Sequence, residues 1–231
     1  MDVKFILIVF QVMVLIMSIV VHEVAHGWAA LKLGDPTAKY AGRLSLNPMK
    51  HLDPWGSFLV PLFMIVTLGF GFGWAKPVPY NPYNLKNQKT GPLLVALAGP
   101  LSNILLAVFF GLIARFITLN YMIKVSIAEH IFQFEDLGVV FSGSFAAIFF
   151  WLAMMMVILN VFLAFFNLIP IPPLDGSKLL FYFFSLKTET KIMLEQFGFI
   201  FLIMFIMIFS APLGSFLYGV LSLFLRYIVG L

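Results

Sequence analysis

The residues with the clearest chemical potential form one short cluster inside an apolar stretch, His22-Glu23-Val24-Ala25-His26. Ile, Leu, Val, Phe and Met fill most of residues 5–33 around it. A titratable side chain in an apolar membrane segment costs a few kcal/mol or more unless it has a partner or a function. The cluster therefore indicates a functional site within an apolar helix.

The spacing of the two histidines suits a metal ion. His22 and His26 are four residues apart, which on a helix puts them on one face, about 6 Å apart along the axis. Both imidazoles can then reach one zinc ion at about 2.0–2.1 Å. Glu23 lies about 100° around the helix from His22, where it can serve as general acid and base beside the metal. This is the pattern of the HExxH zinc proteases.

A different interpretation of the cluster is a polar triad that joins helices or relays protons. Such a triad would bury three titratable groups without a metal, at a high cost in free energy. The metal site is therefore the favoured interpretation.

A catalytic zinc also needs a third protein ligand and an open position. The chain has no cysteine, so this ligand has to be His, Asp, Glu or Asn. Asp175, in FFNLIPIPPLDGSKLL, follows a long apolar run, and the prolines before it and the glycine after it allow an inward turn. His51 and Asp53, in KHLDPWG, stay open as alternatives. His130 is interpreted as a surface histidine.

The composition is that of an integral membrane protein. Of the 231 residues, 62% are hydrophobic and 10% are charged, against about 25% charged in soluble domains. The net charge is +4 and the basic residues are scattered, which argues against nucleic-acid binding. The first segment lacks the basic start and cleavage site of a signal peptide, so we expect it to be a mature span.

The apolar runs predict an all-α polytopic membrane protein with about four to six transmembrane helices. We find no internal repeat and no appended soluble domain, so we expect one membrane-embedded domain over residues 1–231. Whether residues 213–231 cross the membrane or lie along the interface stays open, and Pro212, Gly214 and Arg226 would favour the interface. The runs cover residues 5–33, 55–73, 92–118, 139–172, 196–210 and 213–231.

The second run, WGSFLVPLFMIVTLGFGFGW, is rich in glycine and contains a proline. These residues suit a broken, re-entrant segment better than a regular helix. If this run returns to the side it came from, ten basic residues share one side of the membrane and three face the other. The positive-inside rule then predicts an outside N-terminus, basic loops in the cytoplasm and an active site that opens toward the cytoplasm.

Two motifs together resemble the site-2 protease family of intramembrane zinc metalloproteases: HEVAHG and, far downstream, NLIPIPPLDG. Between them, GRLSLNPMKHLDPWGS, FGWAKPVPYNPYN and ALAGPLSN are similar to the small prokaryotic members, which lack a PDZ or CBS domain. The resemblance covers roughly residues 15 to 180, which is most of the chain.

The resemblance implies a role for each matching residue. A membrane-dipping, β-like segment would follow the HExxH helix, and Gly99 would be a small packing residue. Asn167 would bind substrate or stabilise the oxyanion, and Asn103 would lie near the active site. The remaining positions would be the zinc ligands His22, His26 and Asp175 and the catalytic acid and base Glu23.

The expected function is that of a zinc metalloendopeptidase that cleaves single-span membrane proteins within or near their transmembrane segments. It would hold one zinc ion per chain and work in the lipid bilayer, as a multi-pass protein of a prokaryotic inner membrane. A metal-ion or proton transporter is the alternative, but a transporter should carry ionisable residues on several spans. An inactive relative is a third interpretation, and Glu23 argues against it. The oligomeric state does not follow from the sequence.

Overall fold

The computed structural model describes residues 3–68, 73–133, 144–184 and 186–231. The described residues form helices and loops and contain no strand. The α-helices are α1 Val3–Lys32, α2 Thr37–Tyr40, α3 Val60–Leu68, α4 Gly91–Phe116, α5 Tyr121–Glu129, α6 Phe145–Asn167, α7 Ser177–Phe183, α8 Thr188–Gln196 and α9 Gly198–Phe224. Short 3-10 turns lie at Pro48–Lys50 and Pro82–Asn84, and π-helical segments at Pro54–Leu59 and Leu225–Val229.

Four of the described helices are long and apolar enough to cross a membrane. They are Lys4–Lys32, Gly91–Phe116, Phe145–Asn167 and Gly198–Val229. The shortest has 23 residues, and about 20 residues are needed to cross the hydrocarbon core. The prediction of an all-α polytopic membrane protein is confirmed, and the described residues contain four candidate spans, at the lower end of the expected range.

The second apolar run forms two short helices, Pro54–Leu59 and α3. Together they extend about 22 Å at 1.5 Å per residue, which is less than the roughly 30 Å of a bilayer core. Residues 54–68 are helical rather than β-like, and residues 69–72 lie outside the described part. The membrane-dipping path of this run stays a prediction.

The last two apolar runs form one helix instead of two elements. Helix α9 continues through Pro212, and its backbone leaves helical geometry at Phe209, with φ −109° and ψ 20°. A proline inside a helix lacks the amide hydrogen and crowds the preceding turn, so the helix bends without ending. Residues 213–229 thus belong to the candidate span Gly198–Val229 and do not form a separate element.

Contacts group the chain into two compact units, residues 19–99 and residues 1–18 with 100–231. In the larger unit, α6 forms the core and packs against α5 and α9. Phe150, Trp151, Met154 and Met155 on α6 are fully buried. Lipid tails are as apolar as these side chains, so the association of helices depends on close packing rather than on the hydrophobic effect.

Small residues on α4 allow this close packing in the larger unit. Ala107 and Ala114 are fully buried, and a Cβ at Gly111 would come within 2.7 Å of Ile228. The three residues lie on one face of α4, since they are three or four positions apart. They are a stripe of small side chains against which the C-terminal segment packs.

In the smaller unit, Asp35 connects two loops. Helix α1 ends at Lys32, and Gly34 turns the chain with a φ of +112°, which favours glycine. Asp35 then accepts hydrogen bonds from Thr37, from the Asn81 amide and from the Asn84 side chain. The loop that follows α1 is thereby fastened to the loop that precedes α4.

Candidate metal centre

His22 and His26 lie on one face of α1, as their spacing predicts. Their ring centroids are 4.6 Å apart with the planes at 87°, and a ring nitrogen of each lies within 4.8 Å of the other. Two nitrogens that share a zinc ion at 2.0–2.1 Å are at most about 4.2 Å apart. The pair therefore needs little or no rearrangement to hold one ion.

A backbone carbonyl orients the second histidine. Nδ1 of His26 lies 2.7 Å from the carbonyl oxygen of Val95. A carbonyl oxygen can only accept, so Nδ1 carries a proton and Nε2 is the ring nitrogen that can bind a metal. Metal-binding histidines typically make such a bond with the nitrogen that does not bind the metal.

Gly99 on α4 provides the space for both rings. A Cβ at this position would lie 2.5 Å from Cε1 and Nε2 of His26 and 2.6 Å from Cε1 of His22. Any larger residue would push the rings away from their present places. The packing role that the sequence suggested for Gly99 is thus visible in the structure.

Glu23 is half-buried and tied to a distant loop. Its Oε2 accepts a hydrogen bond of 2.8 Å from the backbone amide of Val78. This bond restricts the orientation of the carboxylate, which belongs to the residue that follows His22 on α1. A fixed carboxylate beside a histidine pair can take up and return a proton.

Asp175 and Asn167 belong to the larger unit, where the chain folds back after α6. The Gly176 amide donates to the carbonyl oxygen of Asn167 at 2.7 Å, and a Cβ at Gly176 would come within 2.2 Å of the Leu168 carbonyl oxygen. Only glycine fits this tight return. Asp175 is half-buried, and the Asn167 side chain donates to the Leu163 carbonyl oxygen at 2.8 Å.

Asn103 takes part in a fully buried polar cluster of the larger unit. Its Nδ2 donates to Oδ1 of Asn160 at 2.7 Å and to the Ser18 carbonyl oxygen at 3.3 Å. Nδ2 of Asn160 donates to the Ser18 hydroxyl at 2.9 Å. The cluster connects α1, α4 and α6, so these amides act on the packing of the helices.

His51 and His130 bond to backbone carbonyls close in sequence. His51 is fully buried with Nε2 at 2.8 Å from the Ser45 carbonyl oxygen. Nδ1 of His130 lies 2.9 Å from the Ser126 carbonyl oxygen. Each ring thus uses one nitrogen to hold its own loop. Asp53 caps the helix that begins at Pro54 by accepting from the Gly56 amide.

Comparison with known proteins identifies the family. The sequence model of Peptidase family M50 matches residues 10–210. The chain belongs to family M50, the site-2 proteases. The candidate zinc metalloprotease YwhC of Bacillus subtilis is 38% identical over 208 residues, which are 90% of this chain and 83% of that protein.

Two further relatives are candidate zinc metalloproteases named Rip2. The Mycolicibacterium smegmatis protein is 30% identical over 162 residues, 70% of this chain and 52% of that protein. The Mycobacterium tuberculosis protein is 27% identical over 209 residues, 89% of this chain and 68% of that protein. No solved structure matches the chain.

Family membership makes this M50 chain a metalloprotease of membranes that uses zinc. The residues described above fit that ion. His22 and His26 offer imidazole nitrogens, for which zinc has a known preference. The space left by Gly99 and the hydrogen bond from His26 to Val95 keep both rings in position.

Two buried charged residues of the M50 chain hold loops of the unit that contains His22 and His26, and the sequence did not single them out. Asp35 is fully buried; burial alone would raise its pKa, but hydrogen bonds from Thr37, Asn84 and Asn81 outweigh burial and hold the pKa below its ordinary value. Arg43 is also buried and donates to the Lys76 and Pro77 carbonyl oxygens. In the sequence, both are single charged residues in the polar segment between the first two apolar runs, where a charged side chain is ordinarily exposed and does not attract notice.

Proposed function

We propose that this M50 metalloprotease carries out regulated intramembrane proteolysis, hydrolysing peptide bonds within or near the transmembrane segments of single-span membrane proteins. The observation that carries the proposal is the pair of imidazoles on a membrane-crossing helix. His26 lies six residues before the end of α1 at Lys32, or about 9 Å along the axis. A substrate bond has to reach this depth to be cut.

His22, His26 and Asp175 would hold one zinc ion. Two imidazoles and one carboxylate are a ligand set typical of catalytic zinc, which keeps one position open. When bound, the ion would supply Lewis-acid polarisation of the scissile carbonyl and make water more acidic. The assignment of Asp175 rests on its carboxylate at the tight turn after α6 and on the family's order of motifs. His51 is the weaker candidate, since one of its ring nitrogens already bonds to Ser45.

Glu23 would act as general base and then as general acid. It takes a proton from the attacking water and returns it to the leaving amine. Asn167 would donate its amide to the substrate or to the negative charge that develops on the scissile oxygen. To do so, its Nδ2 has to exchange the Leu163 carbonyl oxygen for the substrate.

The substrate segment has to unwind before it is cut, since a helix uses its own carbonyl groups in hydrogen bonds. We propose that residues 1–231 work as one domain in a prokaryotic inner membrane. The distribution of lysine and arginine supports an outside N-terminus and a site that opens to the cytoplasm. Membrane-tethered regulators and signal-peptide remnants are substrates of suitable form.

The first test combines zinc content with cleavage. Purified protein in liposomes is mixed with a single-span test substrate, and bound metal is measured by mass spectrometry. We expect one zinc ion per chain in wild type and in Glu23→Gln, with cleavage lost in Glu23→Gln because the base is gone. His22→Ala and Asp175→Ala should lose the zinc.

The outcomes separate the competing functions. Cleavage by Glu23→Gln at the wild-type rate would refute the proposed mechanism. Ion flux across the liposome membrane without cleavage would instead identify a transporter. Zinc retained in Asp175→Ala but lost in His51→Ala would move the third ligand to His51.

A further inference from the structure

We propose that Arg43 is a positioning residue for the catalytic glutamate. Its hydrogen bonds fix the backbone of residues 76–78, so that the Val78 amide can donate to one carboxylate oxygen of Glu23. The inference rests on the proposed role of Glu23 as general base. All the residues involved lie within the unit of residues 19–99.

The Val78 amide is the contact that reaches the glutamate. It donates to Oε2 of Glu23 at a distance of 2.8 Å, and the two residues are 55 positions apart in the sequence. A hydrogen bond to a carboxylate is stronger than one between neutral groups. With Oε2 bound in this way, the carboxylate keeps its orientation, and Oε1 is the oxygen that can exchange a proton with water.

Gly27 allows the Val78 segment to approach α1. It lies one helical turn after Glu23, and a Cβ there would come within 2.6 Å of the Leu44 side chain and 3.0 Å of the Val78 side chain. The close approach of residue 78 is thus built into α1 itself. It is a second observation, independent of the hydrogen bond, that this loop belongs beside Glu23.

Arg43 binds the backbone just before Val78. Its Nη2 donates to the Lys76 carbonyl oxygen at 2.5 Å and to the Pro77 carbonyl oxygen at 3.3 Å. These carbonyl groups directly precede Val78. Arg43 is 7% exposed, and burying a guanidinium charge costs free energy that hydrogen bonds have to offset. Neutral donors could bind the same carbonyl groups with a smaller desolvation free energy, so the buried guanidinium indicates that the position of this loop is important.

Prolines on both sides of Val78 make the segment stiff. Pro77 and Pro79 have a fixed φ, and each restricts the residue before it to extended conformations. The amide of Lys76 also donates to the His51 carbonyl oxygen at 2.8 Å. Because the segment is stiff, fixing residue 76 also fixes the Val78 amide, and the amide in turn fixes the Glu23 carboxylate.

Hydrogen–deuterium exchange at Val78 tests the contact without any activity. Because Pro77 and Pro79 carry no amide hydrogen, Val78 is the one exchanging amide between Lys76 and Tyr80. We expect exchange at Val78 to be about tenfold faster or more in Glu23→Ala, which removes the acceptor of the amide, and in Arg43→Met, which removes the bonds to the two preceding carbonyl groups and so loosens the segment. Equal exchange at Val78 in wild type and Glu23→Ala would overturn the proposal.

Cleavage kinetics test the consequence. Val78→Pro removes the amide hydrogen, whereas Val78→Ala keeps it. We expect kcat to fall about 10- to 100-fold in Val78→Pro and in Arg43→Met, with KM nearly unchanged and zinc retained. Val78→Ala should keep most of the activity, and Arg43→Lys should recover part of it because a cationic donor is still present.

Lys50→Met is the matched control, since Lys50 donates to the Gly42 carbonyl oxygen in the same region but is exposed. A loss in Arg43→Met no greater than in Lys50→Met, or equal kcat in Val78→Pro and Val78→Ala, would overturn the positioning role while Glu23→Gln stays inactive. Full cleavage by Glu23→Gln would refute the proposed role of Glu23 as general base, and the positioning role with it.

Discussion

At the scale of single residues, the histidine pair depends on what surrounds it as much as on its own spacing. The Val95 carbonyl oxygen orients His26, and Gly99 leaves room for both rings. A helix of any sequence would bring positions 22 and 26 to one face. Only a glycine on the neighbouring helix allows the rings to stand where a shared ion can be bound.

Gly99→Ala should therefore lower zinc affinity at least tenfold and reduce cleavage in proportion, because the new Cβ would lie 2.5 Å from the His26 ring. Zinc content after dialysis against a series of chelator concentrations measures the effect. Gly214→Ala is the control, since a Cβ at Gly214 meets nothing within 4 Å. Equal zinc retention in the two variants would contradict the role of Gly99.

Asp35 is a second residue whose environment decides its behaviour. Its pKa is lowered because hydrogen bonds to its charged form outweigh burial. A carboxyl group whose folded pKa is depressed stabilises the protein above its unfolded pKa of about 3.9, and this contribution is lost as the pH falls through the folded pKa.

We expect Asp35→Asn to lower the thermal unfolding midpoint in detergent at pH 7 by about 5 °C, since an amide cannot accept all the bonds that Asp35 accepts. The difference from wild type should shrink as the pH falls below about 4. The exposed Glu189→Gln serves as control. A difference between wild type and Asp35→Asn that is constant from pH 7 to pH 3 would be inconsistent with the lowered pKa.

At the scale of elements, a buried polar cluster specifies how three helices of the larger unit meet. Ser18, Asn103 and Asn160 are each fully buried and bond to one another from α1, α4 and α6. Interhelical hydrogen bonds in membranes contribute about 0.6 kcal/mol on average and up to about 1.7. Their energy is modest, but their direction excludes other rotations of the helices.

Asn160→Ala should lower the thermal midpoint by a few degrees, because it removes the bonds to Asn103 and Ser18 and leaves buried partners unsatisfied. Zinc content should stay at the wild-type level. Ser222→Ala is the control, since its hydroxyl donates to the Gly219 carbonyl oxygen within the same helix. The result is read from unfolding curves in detergent, and identical midpoints would show that the cluster adds no stability.

At the scale of the whole molecule, the described helices and the basic loops make a prediction about topology. If the second run returns to its own side as proposed, the four candidate spans among the described helices would place the loops after α1 and α6 in the cytoplasm and helix α5 outside. An outside N-terminus follows from the same count.

Thiol labelling can test this topology cleanly because the chain has no cysteine. Tyr83→Cys and Met122→Cys form a matched pair, since the native side chains are 79% and 73% exposed. In intact cells, a membrane-impermeant maleimide should label Met122→Cys, and should label Tyr83→Cys only after permeabilisation. The opposite pattern would invert the orientation, and labelling of both in intact cells would refute the number of crossings.

Local properties were predictable from the sequence by itself. The HExxH spacing, the length of the apolar runs and the type of metal ligand are set within a few residues, because helical periodicity and hydrophobic length are local. The form of residues 54–68 was not predictable in this way. Glycine and proline indicate a broken segment, but they do not specify which conformation replaces the regular helix, and the segment is helical rather than β-like.

The tertiary structure alone decided which distant groups meet. The Val78 amide reaches Glu23 over 55 positions, and Asn160 reaches Ser18 over 142. No periodicity connects such positions, since their approach depends on how all the intervening elements pack. The sequence determined which chemistry is available to the chain, and packing decided which backbone groups orient it.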